Sequence, residues 1–87
     1  MKIKDGFIVR SVAGSNVVVP TGSQTVDFNG IMTLNGTGLF LWSKLEKGAE
    51  KEELINAIVA EYDIDEVTAA ADIDVFLGKL EGAGLVE

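Results

Sequence analysis

The sequence predicts an α+β fold in which a three-stranded antiparallel sheet is followed by three helices. Short β-branched runs separated by turn residues fill the part of the chain before residue 35. After that point the apolar residues recur every three to four positions, as they do in helices. The length of 87 residues suits one small domain. We therefore expect a single domain over residues 1–87.

The front of the chain predicts a β-hairpin. Residues 7–12 (FIVRSV) and 16–20 (NVVVP) are rich in β-branched side chains, which favour strands. The segment Ala13-Gly14-Ser15 between them is typical of a turn. Pro20 has no N–H to donate to a sheet, so we expect it to end the second strand.

A third strand is predicted before the apolar period changes. Residues 21–29 are expected to form a connecting loop, with Val26 and Phe28 turned inward. Residues 30–34 then alternate in character as a strand does. The alternation places Met32 and Leu34 on one face of the strand, and Ile31 and Thr33 on the other.

Three amphipathic helices are predicted for the rest of the chain. Asn35 is a favourable N-cap for the first helix, which should end before Gly48. The second helix is expected over about residues 50–62, and Asp65 should cap a third that ends near residues 82–84. The apolar residues that should turn the first two helices toward the core are Leu39, Phe40, Leu41, Trp42, Leu45, Leu54, Ile55, Ile58, Val59 and Tyr62.

The third helix carries two apolar faces, and a core explains only one of them. The core-facing stripe consists of Ile73, Phe76, Leu77 and Leu80. The second face is a row of small apolar residues with charged neighbours, namely Val67, Ala71 and Val75 flanked by Asp72, Asp74 and Lys79. This row is either exposed, or wedged against a further element, or part of a shallow groove that suits a peptide or a partner protein.

The charge of the chain narrows the classes of partner. Fourteen acidic and seven basic residues give a net charge of −7, and residues 36–87 hold twelve of the acidic ones. Such a surface repels nucleic-acid phosphates and anionic lipid. No apolar run approaches the roughly 20 residues that span a bilayer, and residues 1–5 do not resemble the start of a signal peptide. We expect a cytoplasmic protein with no nucleic-acid or membrane partner.

The sequence contains no recognisable catalytic constellation. It has no cysteine and no histidine, which excludes thiol nucleophiles, histidine-based acid–base catalysis and the usual zinc sites. The four serines therefore have no histidine to activate them. Acidic clusters at the starts of helices are typical of residues that complement the helix dipole. We expect no enzymatic activity, no cofactor and no metal ion.

Several segments, taken in order, resemble the pyrroloquinoline quinone synthesis protein D (PqqD-like) family. Residues 34–42 (LNGTGLFLW) match its L-N-x-T-G-x-x-L-W signature. Residues 53–54 and 61–65 resemble its E-L and E-Y-D-V-D elements, and residues 72–85 resemble its D-V-x-x-F-L-x-x-L-x-x-x-G-L-L ending. Glu50 departs from the pattern, because the family often has a Ser or Thr N-cap there. The strands match only in pattern, but the likeness covers essentially the whole chain.

This resemblance implies a winged helix-turn-helix-like fold and a role in the synthesis of ribosomally made, post-translationally modified peptides (RiPPs). Such a RiPP recognition element binds the leader of a precursor peptide and presents the peptide to a separate modifying enzyme, often a radical S-adenosylmethionine (SAM) enzyme. In the family, the leader adds as a strand beside the third strand and lies against the third helix. The peptide-binding residues implied here are Gly30, Ile31, Met32, Thr33, Leu34, Ala71, Asp72, Val75 and Lys79.

Two features of the residues themselves agree with this role, and two other functions stay open. A three-stranded sheet has two open edges for strand addition, and the small apolar row could supply a side-chain pocket. A non-catalytic module that binds another folded protein would use the same surfaces, whether as a monomer or a dimer. A winged-helix DNA-binding protein is a further alternative, although its reading helix would need Arg or Lys. The third helix instead has a single lysine against five acidic residues, Asp65, Glu66, Asp72, Asp74 and Glu81.

Overall fold

A computed structural model describes residues 1–21 and 32–87 of the chain. Within these residues, the predicted order and type of the elements are confirmed. Val26 and Phe28 of the predicted loop, and Gly30 and Ile31 of the predicted third strand, lie outside the described residues. The elements are β1 (Phe7–Val12), β2 (Ser15–Pro20), β3 (Met32–Leu34), α1 (Gly36–Glu46), α2 (Lys51–Tyr62) and α3 (Glu66–Gly82).

The β1–β2 hairpin closes through a two-residue turn. Val12 pairs with Ser15 across Ala13 and Gly14, whose φ angles are 52° and 81°. Positive φ at both central residues is what a type I′ turn requires, and the twist of this turn matches the twist of the strands. The turn is shorter than the three residues predicted, because Ser15 is already the first residue of β2.

The sheet has the order β1-β2-β3, and its inner face packs on the helices. Val18 in β2 is fully buried and pairs with Val9 on one side and Met32 on the other. In β3, Leu34 is buried and Met32 is half-buried, whereas Thr33 is exposed. For these three residues, the predicted division between the two faces is confirmed.

Helices α1 and α3 begin at their predicted caps, and α2 begins within one residue of its predicted start. The side chains of Asn35 and Asp65 each accept a hydrogen bond of 2.7 Å from the main-chain N–H three residues further along. Glu50 is the N-cap of α2, and its main-chain N–H donates to the carboxylate of Glu53 at 3.1 Å. This bond stabilises the start of α2 even though Glu50 replaces the Ser or Thr that the family often has there.

One hydrophobic core joins the sheet to the three helices. Several helix side chains expected in the core are less buried than predicted. Tyr62 is 42% exposed, and the half-buried ones are Leu39, Phe40, Ile55, Val59 and Phe76. The Tyr62 ring meets that of Phe40 edge-on, with centroids 5.6 Å apart. No helix among the described residues combines the length and apolar character that crossing a bilayer needs. The core consists of Ile3, Phe7, Val18, Leu34, Leu41, Trp42, Leu45, Ala49, Leu54, Ile58, Ala69, Ile73, Leu77, Leu80 and Leu85.

Candidate functional site

The hydrogen-bond phase of the sheet determines which residues of β3 face β2. In an antiparallel pair, opposed residues alternate between pairs that exchange two main-chain hydrogen bonds and pairs that exchange none. The N–H of Thr21 donates to the carbonyl of Gly6 at 2.6 Å, so the odd-numbered residues of β2 direct their main chain toward β1. The even-numbered residues therefore face β3, where they oppose Met32 and Leu34.

Thr33 is the residue of β3 whose main chain points outward. It opposes Val17, whose own main-chain groups face β1. Because the two neighbours of Thr33 face β2, its N–H and C=O are directed to the outer edge of the sheet. In the described part of the chain, β3 pairs with β2 alone. An extended peptide could therefore lengthen the sheet by bonding to both groups.

The first turn of α1 brings β3 close to α3. Gly38 is buried at this junction and donates its N–H to the Asn35 cap. A Cβ on Gly38 would lie 3.3 Å from the Asn35 Oδ1 atom and 3.5 Å from side-chain atoms of Leu34 and Phe76. The two contacts of 3.5 Å are ordinary, but the contact of 3.3 Å would require the capping side chain of Asn35 to shift by a few tenths of an ångström, so the glycine leaves the cap undisturbed. This is the physical role of the asparagine and the second glycine in the LNGTG segment.

A cleft lies beside this junction, between the end of β3, the start of α1 and one side of α3. It consists of two adjoining depressions of about 510 and 340 Å³, which we call together the β3–α3 cleft. The larger depression reaches Thr33 and the β1–β2 turn, and the smaller one reaches Asp72 and Val75. The walls that the two depressions share are formed by Asn35, Gly38, Phe76 and Lys79.

The cleft has a charge of opposite sign toward each end of its α3 wall. Asp72 and Lys79 are both exposed, and their separation of seven residues places them on one side of the helix, about 10 Å apart along its axis. Phe76, which is half-buried and lines both depressions, lies between them along the helix. The cleft therefore combines an apolar wall with one carboxylate and one ammonium group, which suits a peptide with both apolar and charged side chains.

The row of Val67, Ala71 and Val75 is exposed, but its two ends do not line one groove. The exposed fractions are 81% at Val67 and 60% at Val75. An i, i+4 row turns by about 40° around the helix at each step. Val67 consequently lies at a separate depression of about 370 Å³ between α2 and α3, whereas Val75 lines the β3–α3 cleft.

The structure brings most of the predicted peptide-binding residues to the edge strand or the cleft. The buried side chain of Leu34 belongs to the core, so Leu34 offers a peptide little side-chain surface. Ala71 is exposed on α3, and Gly30 and Ile31 lie outside the described residues. Those on β3 or in the cleft are Met32, Thr33, Leu34, Asp72, Val75 and Lys79.

Phe76 is a large cleft side chain that the sequence pattern assigned to the core alone. It is half-buried and lines both depressions of the cleft. Its position on the helix could have indicated its place in the cleft. Phe76 comes four positions after Asp72, so the two lie only about 40° apart around α3, and Phe76 is at the edge of the core stripe. A large aromatic residue at such an edge is commonly shared between a core and a binding surface.

The architecture is the winged helix-turn-helix-like α+β fold that the resemblance implies, with an edge strand lying beside the last helix. The sequence model of the family described as Coenzyme PQQ synthesis protein D (PqqD) matches residues 16–86, and the chain belongs to this family.

Two solved structures share the fold over nearly their whole length. One is described as TbiB1 in complex with the TbiA(beta) leader peptide. It is 31% identical, has a TM-score of 0.78, and the match covers 100% of this chain and 95% of that one. The other is described as lasso peptide synthetase B1 complexed with the leader peptide. At 18% identity, a TM-score of 0.73 and coverage of 97% and 93%, this likeness concerns the fold alone. No functionally curated protein matches the chain.

Proposed function

We propose that the chain is a RiPP recognition element, which binds the leader of a precursor peptide and presents the peptide to a separate modifying enzyme. The observation that carries this proposal is the outward main chain of Thr33 directly beside the β3–α3 cleft. Membership of the PqqD family supports it. So does the 31% identical structure, in which TbiB1 is in complex with a leader peptide.

In the proposed complex, the leader pairs antiparallel with β3 and lays alternate side chains into the cleft. Main-chain hydrogen bonds to Thr33 supply affinity that does not depend on the leader's sequence. Contacts with Phe76 and Val75 would favour apolar side chains, and the charges of Asp72 and Lys79 would set preferences at particular positions. Residues 1–87 act in this scheme as one peptide-binding domain.

The chemistry of modification is assigned in this proposal to a partner enzyme, such as a radical SAM enzyme. The chain has no histidine and no cysteine, so it lacks thiol nucleophiles and histidine-based proton transfer, which supports a non-catalytic role. The DNA-binding alternative is disfavoured by the exposed carboxylates along α3, which would repel phosphates.

Titration with leader peptides tests the proposal. The probes are the N-terminal halves of short precursor peptides encoded beside the gene for this chain, labelled with a fluorophore for polarisation measurements. Parent protein should bind one of them saturably. Thr33→Pro should weaken binding by about tenfold or more, because proline removes the outward N–H and fixes φ near −65°. The fold should survive, since that N–H does not bond to β2.

Thr33→Val is the matched control, because it keeps the N–H and the β-branched shape while it removes the exposed hydroxyl. It should bind like the parent. Failure of the parent to bind any encoded leader would contradict the proposed function. If Thr33→Pro binds the leader with the affinity of the parent and its melting curve is unchanged, the peptide does not bind at the edge of β3. Binding of a folded protein with an affinity that Thr33→Pro does not change would favour the interaction-module alternative.

A further inference from the structure

Lys79 brings a positive charge to the β3–α3 cleft with no carboxylate of its own helix placed to pair with it. The side chains three and four positions away in either direction are all uncharged, although those are the positions that meet on a helix surface. Asp72 lies about 10 Å away along the axis, two turns further back. Among the described residues, the ion pairs involve the N-terminus and Lys51, not Lys79.

Two other lysines of the described chain, Lys44 and Lys51, have side-chain partners inside the molecule. Lys51 forms an ion pair with Asp74, and the Lys44 ammonium lies over the Phe40 ring, 5.1 Å from its centroid. Lys79 differs from both, since it lines the two depressions of the cleft.

The surroundings of Lys79 would strengthen its pairing with a bound anion. The half-buried Phe76 ring, one turn before Lys79, lines the same walls of the cleft. An added strand would cover this site and lower the local dielectric constant, which increases the attraction between opposite charges. A carboxylate on the peptide would then gain more from Lys79 than it would on an open surface.

We propose that Lys79 selects leaders that carry an Asp or Glu side chain facing α3, with an apolar side chain two residues away on the same face of the peptide. Side chains two residues apart on a strand are about 7 Å apart, which approximates the spacing of neighbouring turns of α3. The apolar side chain would therefore reach Phe76 while the carboxylate reaches Lys79. The rest of the leader should not be strongly acidic, because the chain's own net charge of −7 would repel it. This inference rests on the proposed function, since it requires a peptide held at Thr33.

Selection from a displayed library of random peptides tests the inference and does not require the natural leader to be identified first. Parent protein, Lys79→Glu, Lys79→Gln and Lys47→Glu are used as baits. A peptide is counted only if Thr33→Pro weakens its binding. This criterion restricts the count to peptides that bind at the edge of β3. Lys47→Glu is the matched control, because it makes the same change of net charge at an exposed residue beside a different depression.

Peptides selected by the parent and by Lys47→Glu should be enriched in Asp or Glu at one position. At the same position, Lys79→Glu should select Lys or Arg, and Lys79→Gln should show no charge preference. In a single selected peptide, replacing the acidic residue by Lys should weaken binding to the parent by about tenfold, and Lys79→Glu should restore it.

Each other result is decisive. If Thr33-dependent peptides are found but the parent has no acidic preference, or Lys79→Glu keeps it, the role of Lys79 is wrong while the proposed function stands. If no Thr33-dependent peptide is enriched, the proposed function fails and this inference fails with it. Should Lys79→Glu not fold, retention of the acidic preference by Lys79→Gln overturns the inference.

Discussion

Helix α3 has two exposed flanks that are alike in composition and differ in what lies next to them. On the α2 flank, Val67 lies at a depression of about 370 Å³, and Asp74 forms an ion pair with Lys51. On the α1 flank, Val75 and Lys79 line the β3–α3 cleft. Both flanks therefore offer small apolar surface with charged residues at the rim.

The difference lies in the main chain beside each flank. The neighbour on one side is α2, a helix whose main-chain groups are largely satisfied by its own i, i+4 hydrogen bonds. The neighbour on the other side includes β3, where Thr33 directs an N–H and a C=O outward. An exposed apolar row on a helix is therefore not enough to indicate a peptide site. Outward main-chain groups beside the row determine whether an extended peptide can bind there.

The largest expected effect distinguishes the buried face of α3 from its two exposed flanks. Ile73 is fully buried between them, so Ile73→Ala should lower the free energy of unfolding by about 2–5 kcal/mol. Val75→Ala should change it by less than about 0.5 kcal/mol, because Val75 is 60% exposed. Urea unfolding followed by the fluorescence of Trp42, the single tryptophan, measures both changes. Equal losses in the two variants would mean that the flank on the cleft is packed rather than open.

A matched pair of charge insertions compares the flanks directly. Val75→Asp should weaken leader binding by about 1–3 kcal/mol, because the new carboxylate would be covered without a partner. Val67→Asp should leave the affinity within about twofold, because it lies on the α2 flank, although it adds the same charge.

Calorimetric titration with the leader, alongside melting curves, distinguishes the outcomes for this pair. Both variants should stay folded, since both side chains are exposed. Unfolding of Val75→Asp would show that the helix is rotated from its described position. If both substitutions weaken leader binding equally, either the peptide contacts both flanks or the loss of affinity reflects the change in net charge alone.

A smaller effect is expected from the ion pair on the α2 flank. Lys51 and Asp74 are 45% and 60% exposed as side chains, so solvent screens their attraction. Asp74→Asn should change the free energy of unfolding by less than about 1 kcal/mol and leave leader affinity unchanged. Urea unfolding and leader titration of this variant measure the two quantities. A marked loss of leader binding would show that the α2 flank is part of the peptide site.

The smallest effect concerns the N-terminal end of α3 and depends on pH. Hydrogen bonds from the main-chain N–H and then the hydroxyl of Thr68 lower the pKa of the Asp65 carboxyl below its ordinary value. The folded state therefore favours the charged carboxylate. Its contribution to stability is complete above the unfolded pKa of about 4 and is lost as pH falls through the lower folded pKa.

Asp65→Asn isolates this contribution, because asparagine can cap the helix but does not titrate. The stability advantage of the parent over Asp65→Asn should be present at neutral pH and shrink as the pH falls below about 4. Thermal melting of both proteins across that range tests the expectation. An advantage that stays constant with pH would show that the Asp65 charge does not stabilise α3.

The sequence predicted those features of the fold that depend on local chemistry. Turn residues, the β-branched runs and the change of apolar period identified the strands and helices. Asn35 and Asp65 were recognised as caps because their side chains bond to N–H groups only three residues away. The same reasoning made the hairpin turn one residue too long, since the boundary depends on how Ser15 pairs across the sheet.

The candidate site could be predicted only in part, because it is assembled from distant segments. Local alternation placed Thr33 on the face of its strand opposite Met32 and Leu34. The direction of its main chain, however, follows from the hydrogen bond between Gly6 and Thr21, which sets the alternation of hydrogen-bonded pairs across the sheet. Helical period placed Val67 and Val75 in one row. Which of them borders the cleft was decided by where α1 and α2 pack against α3.

What the sequence determined by itself was therefore the set of elements, the caps of α1 and α3, the acidic composition and the lack of histidine and cysteine, since each follows from residue type and short-range spacing. Tertiary structure decided that Phe76 packs against the edge of the core and also lines a cleft, and that Gly38 lies where β3, α1 and α3 meet. It also decided that Lys79 lies at this cleft with no carboxylate one turn away along its helix. These features depend on contacts between residues far apart in the chain, which no local pattern specifies.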